Sequence, residues 1–239
     1  MFSAPFSPAC TNHHFLVLNL SGRNNKKNTF YCSFSSNNNQ YSPSLSLSMD
    51  FSGETKTPSV VKLKAIEATP ASFEEFGQVI EASPDGDEFG PRDAQLDLSR
   101  GIPRFYIMHL NDRPLKFSNI THHASVTQCL GSIGGHAWFL GVAKASVVES
   151  GNMNDDAGKK VVQSKCGHYY VPPAPDDVRV FRITGSKFLK LNVGTWHAGP
   201  LFKSEEMDFY NLELNNTNVV DHTTHDFIKE DGVVFLVDD

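Results

Sequence analysis

From about Val60 to its end the chain is a succession of short β-branched and aromatic runs cut by Gly, Pro, Asp and Asn. Runs this short bury enough surface only as strands packed face to face or closed on themselves. The pattern therefore predicts an all-β sandwich or barrel rather than a parallel α/β sheet. Strands are expected over 78–81, 104–110, 120–124, 128–132, 137–143, 168–171, 178–183, 187–191, 208–214 and 233–237. One early helix is predicted over 69–77, where Thr69 offers an N-cap, Pro70 a first-turn proline and Gly77 a stop. Residues 83–97 and 150–160, rich in Pro, Gly, Asp and Asn, read as loops. No repeat of solenoid length interrupts this order.

The first 49 residues have a different character. They contain no Asp or Glu, carry Arg23, Lys26 and Lys27, and are crowded with Ser and Asn. That composition fits a plastid transit peptide. It also fits an upstream extension that is not used, since Met49 begins a sensible protein of its own. The first reading places the protein in the plastid, the second in the cytoplasm. Either way the segment adds nothing to the fold, and a single domain is expected over 60–239. Without those three cations the net charge moves from −6 to −9. With Lys and Arg scattered among acids and no basic stripe, nucleic acid is not an expected partner. No apolar run is long enough to span a membrane as a helix, so no membrane is expected either. Cys129 and Cys166 are the two cysteines of the body, with no Cys-x-x-Cys pair, which predicts free thiols and a reducing compartment.

Two separated stretches carry the chemistry. The first is Thr121-His122-His123-Ala124-Ser125-Val126-Thr127-Gln128, running on to Gly134-Gly135; the second is Asn192-Val193-Gly194-Thr195-Trp196-His197-Ala198-Gly199-Pro200. Strand alternation points Thr121 and His123 the same way and His122 outward, as a structural residue. The same rule puts Phe188, Lys190 and Asn192 on one face of their strand and Leu189 and Leu191 on the other, and the polar face could meet a ligand or solvent. His109, His136 and His168 have no motif and are read as surface or core. Arg104, on an otherwise apolar strand, suits a carboxylate, which a guanidinium grips with two parallel bonds. No Gly-rich phosphate loop, G-x-S-x-G elbow or H-E-x-x-H occurs.

The paired stretches resemble the two motifs of the cupins, His123 falling on the second His of the first motif, Gln128 on its Glu, Gly135 on its Gly and His197 on the closing His of the second. The resemblance implies a cupin-like β-barrel, a double-stranded β-helix or jelly roll, with one or two short helices. Thr121 and Gln128 replace two of the four metal ligands of that pattern. It then implies no required cofactor and no tight metal site, with at most weak divalent binding completed by Gln128 and water, and leaves His123 and His197 as free imidazoles for proton transfer.

More of the chain is similar to the ureidoglycolate lyases. The residues are Val61 to Pro70, Phe76 to Glu81, the Arg104 strand, His123 with Gln128, Gly194-Thr195-Trp196-His197 with Pro200-Leu201-Phe202, and Asp208-Phe209. That resemblance implies a homodimeric enzyme splitting ureidoglycolate, a small carboxylate of purine nitrogen catabolism, into glyoxylate and urea. His123 and His197 are then the proton-transfer residues; Arg104 or Lys190 holds the carboxylate, Gln128 and Asn192 the ureido group, and Trp196 completes the binding set. Bacterial members carry Tyr-His before Gly194 and a second His after His197, where this chain has Leu191-Asn192 and Ala198. The alternatives are a hydrolase releasing ammonia, a cupin metal-dependent oxygenase or isomerase, and a non-catalytic binder of small acids.

Overall fold

A computed structural model of the chain describes residues 57–149 and 160–239. They belong to a compact unit running from Glu54 to Asp239. The expectations for residues 1–49, and for 150–160 apart from Lys160, lie outside the described residues.

The chain opens with β1 (Ser59–Lys64) and β2 (Ile66–Glu67), a single helical turn α1 (Pro70–Phe73), and β3 (Gly77–Ile80). After the predicted loop come β4 (Pro103–Asn111), β5 (Lys116–Phe117), β6 (Asn119–His122), β7 (Gln128–Ser132), β8 (Trp138–Ala143) and β9 (Val147–Val148). The second half holds β10 (Val162–Gln163), β11 (Tyr169–Tyr170), β12 (Arg179–Ile183), β13 (Phe188–Leu191), β14 (Trp196–His197) and β15 (Glu206–Leu214). It closes with α2 (Thr217–Val220), β16 (Thr223–Asp226), α3 (Phe227–Asp231) and β17 (Val233–Asp238).

The all-β class holds, with every predicted strand inside or overlapping an observed one. A closed barrel does not form among the described residues. The strands build a six-stranded sheet, β16-β6-β14-β8-β12-β2, and a five-stranded sheet, β3-β13-β7-β15-β4, with two small three-stranded sheets, β1-β17-β5 and β10-β11-β9. The outer strands of each large sheet bond on one side only. Thr69-Pro70 turns the chain into α1 after two residues of β2, and Pro103, which has no N–H to give, opens β4. Neither edge recruits a closing strand.

The layers follow from alternation along β8. Trp138, Leu140 and Val142 point into one core, shared with Leu130, Leu189, Leu191 and Phe209 of the five-stranded sheet. Phe139 and Ala143 point the other way, into a second core with Ile120, Trp196, Phe227 and Phe235. A strand covered on both faces loses the polar alternation of a surface strand, which is why 138–143 is apolar throughout. Gly141 is required there, because a Cβ would lie 2.4 Å from the Phe117 ring. The helix predicted over 69–77 stops after one turn. Its cap is as expected, with Thr69 Oγ1 accepting the Ser72 N–H at 3.1 Å. Phe73 and Phe76 must both turn inward onto Phe181, at ring distances of 5.0 and 5.5 Å, and Gly77 then enters β3 so close to Lys190 that a Cβ would meet its carbonyl oxygen at 1.9 Å.

Candidate active site

β6 and β14 run antiparallel with His197 opposite Thr121, so these two side chains share the face that looks toward the five-stranded sheet. His123 follows directly after β6. Its carbonyl accepts the Gly194 N–H at 2.7 Å, and Gly194, at φ +81, makes the turn that returns the chain into β14. The two imidazoles are thereby brought together, with ring centroids 5.3 Å apart.

Each ring is oriented by a backbone carbonyl. His123 Nδ1 donates to the Asp221 carbonyl, and His197 Nδ1 to the Thr195 carbonyl at 3.3 Å. With the Nδ1 proton so placed, each Nε2 carries a lone pair and serves as an acceptor or base. Burial depresses both: the His123 pKa lies below the ordinary histidine value, and that of His197 falls to about 3, its neighbour His123 adding to the effect. Both rings are neutral at pH 7.

The Asp221 carboxylate accepts the N–H groups of Ala124 and Ser125 at 2.7 and 2.8 Å, tying the segment after α2 onto the end of β6. That tie delivers a third imidazole, the exposed His222, with its ring 5.7 Å from His123. Among the described residues no group of three or more His, Cys, Asp or Glu side chains stands together at metal-ligating positions.

Gln128 begins a second cluster on the same inner face. Its Nε2 donates to Asn211 Oδ1 at 3.3 Å and to Glu213 Oε2 at 3.2 Å. The amide must be oriented this way, because the reverse would set an oxygen against a carboxylate. Its Oε1 is buried with no hydrogen-bond partner. Tyr106 Oη donates to Glu213 Oε1 at 3.3 Å and accepts from Asn211 Nδ2 at 3.0 Å. Arg104 closes the group, its guanidinium 3.7 Å above the Tyr106 ring and 3.5 Å from Glu213. Glu213 is buried, whereas the Arg104 side chain is 46% exposed, so this network runs from the interior to solvent. The Glu213 charge reaches His123 and favours its protonated form, opposing burial.

Of the residues singled out in the sequence, His123, His197, Gln128 and Arg104 lie on this inner side. Lys190 and Asn192 do not. Leu189 and Leu191 take the inward face of β13, leaving Lys190 opposite Cys129 and Gln78 on the outer face. Trp196 is also removed from the site, because alternation turns it away from His197 into the second core, where its Nε1 donates to Ser146 Oγ at 2.8 Å. His122 faces that same side, as alternation requires, yet it is fully buried rather than outward. Trp196, Tyr170 and His168 cover it, and its Nε2 meets His168 Nε2 at 2.6 Å.

The sequence reading missed Glu213, Asn211 and Tyr106. A signal was present: along β15, Met207, Phe209, Asn211 and Glu213 share one face, so two polar groups end an apolar stripe. Asp221 and His222 lie in a stretch with no periodicity and gave none.

Fold and site together define an all-β protein with a pair of neutral imidazoles and a carboxylate–amide network between its two large sheets. No protein-family model matches the chain, and no curated protein matches it.

Proposed function

We propose that the chain is a ureidoglycolate lyase-like enzyme on a cupin-like fold, splitting a small carbinolamide acid into glyoxylate and urea. The observation that carries this reading is the imidazole pair: two neutral rings, 5.3 Å apart, each with Nδ1 committed to a carbonyl. Elimination needs little more than a base for the hydroxyl proton and a donor for the departing nitrogen. One Nε2 takes the hydroxyl proton, the carbon–oxygen bond becomes a carbonyl, and the carbon–nitrogen bond breaks with its electron pair going to nitrogen. The proton removed from oxygen is the proton that nitrogen needs, so the pair ends the cycle neutral. Arg104, at the exposed end of the network, takes the substrate carboxylate. The unpartnered Gln128 Oε1 accepts a ureido N–H, relieving a buried acceptor whose isolation costs about 1–3 kcal/mol.

The test is to incubate the full chain with ureidoglycolate and identify the nitrogen product. Urea is expected; ammonia would make the protein a hydrolase, and no rate above the spontaneous reaction would overturn both. His197→Ala in the same assay is expected to lower the rate by about 100-fold or more. An unchanged rate would remove His197 from the chemistry.

A further inference from the structure

The outer face of the five-stranded sheet, behind the imidazoles, carries a separate cavity of about 660 Å³. β3 and β13 form its floor, and α1 and the loop after β3 form its walls. Gln78, paired in register with Lys190, holds that loop down. Its Nε2 donates to the Pro91 and Asp93 carbonyls at 3.2 and 3.1 Å, and its Oε1 accepts the Gln95 N–H at 2.9 Å. Both Gln78 amide donors are spent on the wall.

Lys190 on the floor is different. It is only 6% exposed, and its ammonium donates to Asn192 Oδ1 at 2.7 Å. An ammonium has three donors. Lys144, Lys187, Lys203 and Lys229 each have a carboxylate within 3.3 Å, and the other described lysines without one are exposed, whereas Lys190 is buried and has none among the described residues. Its register partner Cys129 supplies no negative charge, since burial pushes that thiol up to about 12. Of the acids on the cavity wall, Glu81 is bound to Lys187 at 2.8 Å and Glu74 is exposed. A buried cation with one neutral partner is costly, and an opposite charge with oxygen acceptors removes the cost. Desolvation lowers the Lys190 pKa, in keeping with a cation lacking that partner.

We propose that this cavity is a binding site for a small organic carboxylate, with Lys190 as its counter-charge and Asn192 orienting the ammonium. The sheet separates it from the imidazole pair, so it is a second site and does not depend on the reading of the first.

The test is a calorimetric titration of the full chain with oxalate. Saturable binding is expected. Lys190→Met should weaken it about ten- to a hundredfold, the worth of charge-assisted hydrogen bonds. Ala71→Trp, which fills the cavity from the exposed face of α1 without touching Lys190, should give the same loss even if Lys190→Met folds poorly. Arg104→Ala, in the other site, should leave this binding in place. The proposal is overturned if oxalate does not bind, if binding survives both cavity variants, or if it is lost with Arg104→Ala alone.

Discussion

At the scale of single residues, Gln128 decides what the inner site can hold. Its amide nitrogen satisfies Glu213 and Asn211, and its oxygen is buried without a partner. A residue kept only for structure would be matched at both ends, because a buried unpartnered acceptor costs about 1–3 kcal/mol. Gln128→Leu removes the orphan along with the amide. That loss strands the buried Glu213 Oε2, so stability is expected to fall by about 1–3 kcal/mol, while KM for ureidoglycolate rises about tenfold. Gln128→Glu should lose stability for another reason. It sets a second carboxylate against Glu213 at the distance of the present hydrogen bond, and stability at pH 7 should fall by about 1–3 kcal/mol. Thermal melts and steady-state kinetics on the two variants check both halves. A Gln128→Leu protein with unchanged KM would make the amide a structural group.

At the scale of elements, the site depends on one short pairing and one tie. β14 contributes two residues, and its register against β6 is what sets His197 opposite Thr121. Asp221 then fixes the end of β6 through two backbone N–H groups and, by its own carbonyl, the His123 ring. Asp221→Ala strands both N–H groups in a poorly solvated place, so a loss of about 2–4 kcal/mol is expected by denaturant unfolding, with kcat falling more than KM because His123 loses its orientation. Asp221→Asn, which keeps one acceptor oxygen, should recover part of both; a variant with full kcat would show that the tie does not position the ring. These elements also mark how far the sequence could be read. Spacing revealed His123, Gln128 and His197 because strand alternation and glycine turns are local rules. The outer placement of Lys190 and the burial of Trp196 and His122 depend on which face a second layer covers. For Trp196 and His122 that layer comes from β11, β17 and α3, and for Lys190 the six-stranded sheet takes the opposite face of β13; all are distant in sequence, and alternation along one strand names the two faces without saying which is inside.

At the scale of the whole molecule, the three-layer arrangement buries imidazoles on both sides of the six-stranded sheet, and this couples folding to pH. His122 lies in the second core against His168, and burial, with His168 next, holds its pKa at about 3; His197 on the opposite face is held at about 3 by burial and His123. In the unfolded chain both return to the ordinary value of 6.5. Below 6.5 the unfolded state therefore binds protons that the folded state refuses, and unfolding gains from acid. The stability these neutral rings contribute is fully present above pH 6.5 and is lost as pH falls toward 3. Each contributes a slope of up to about 1.4 kcal/mol per pH unit, so the pair gives roughly 2–3. Carboxylates add their own titration below about pH 5, which makes pH 6.5 to 5 the informative interval. Burial lowers the His123 and His168 pKa values in the same direction. Urea unfolding across that interval is expected to show the decline, and His122→Phe, which keeps a buried ring against Trp196 and Tyr170, should make its slope measurably shallower. A decline that begins only below pH 5, or one that His122→Phe leaves unchanged, would place the acid sensitivity in the carboxylates instead.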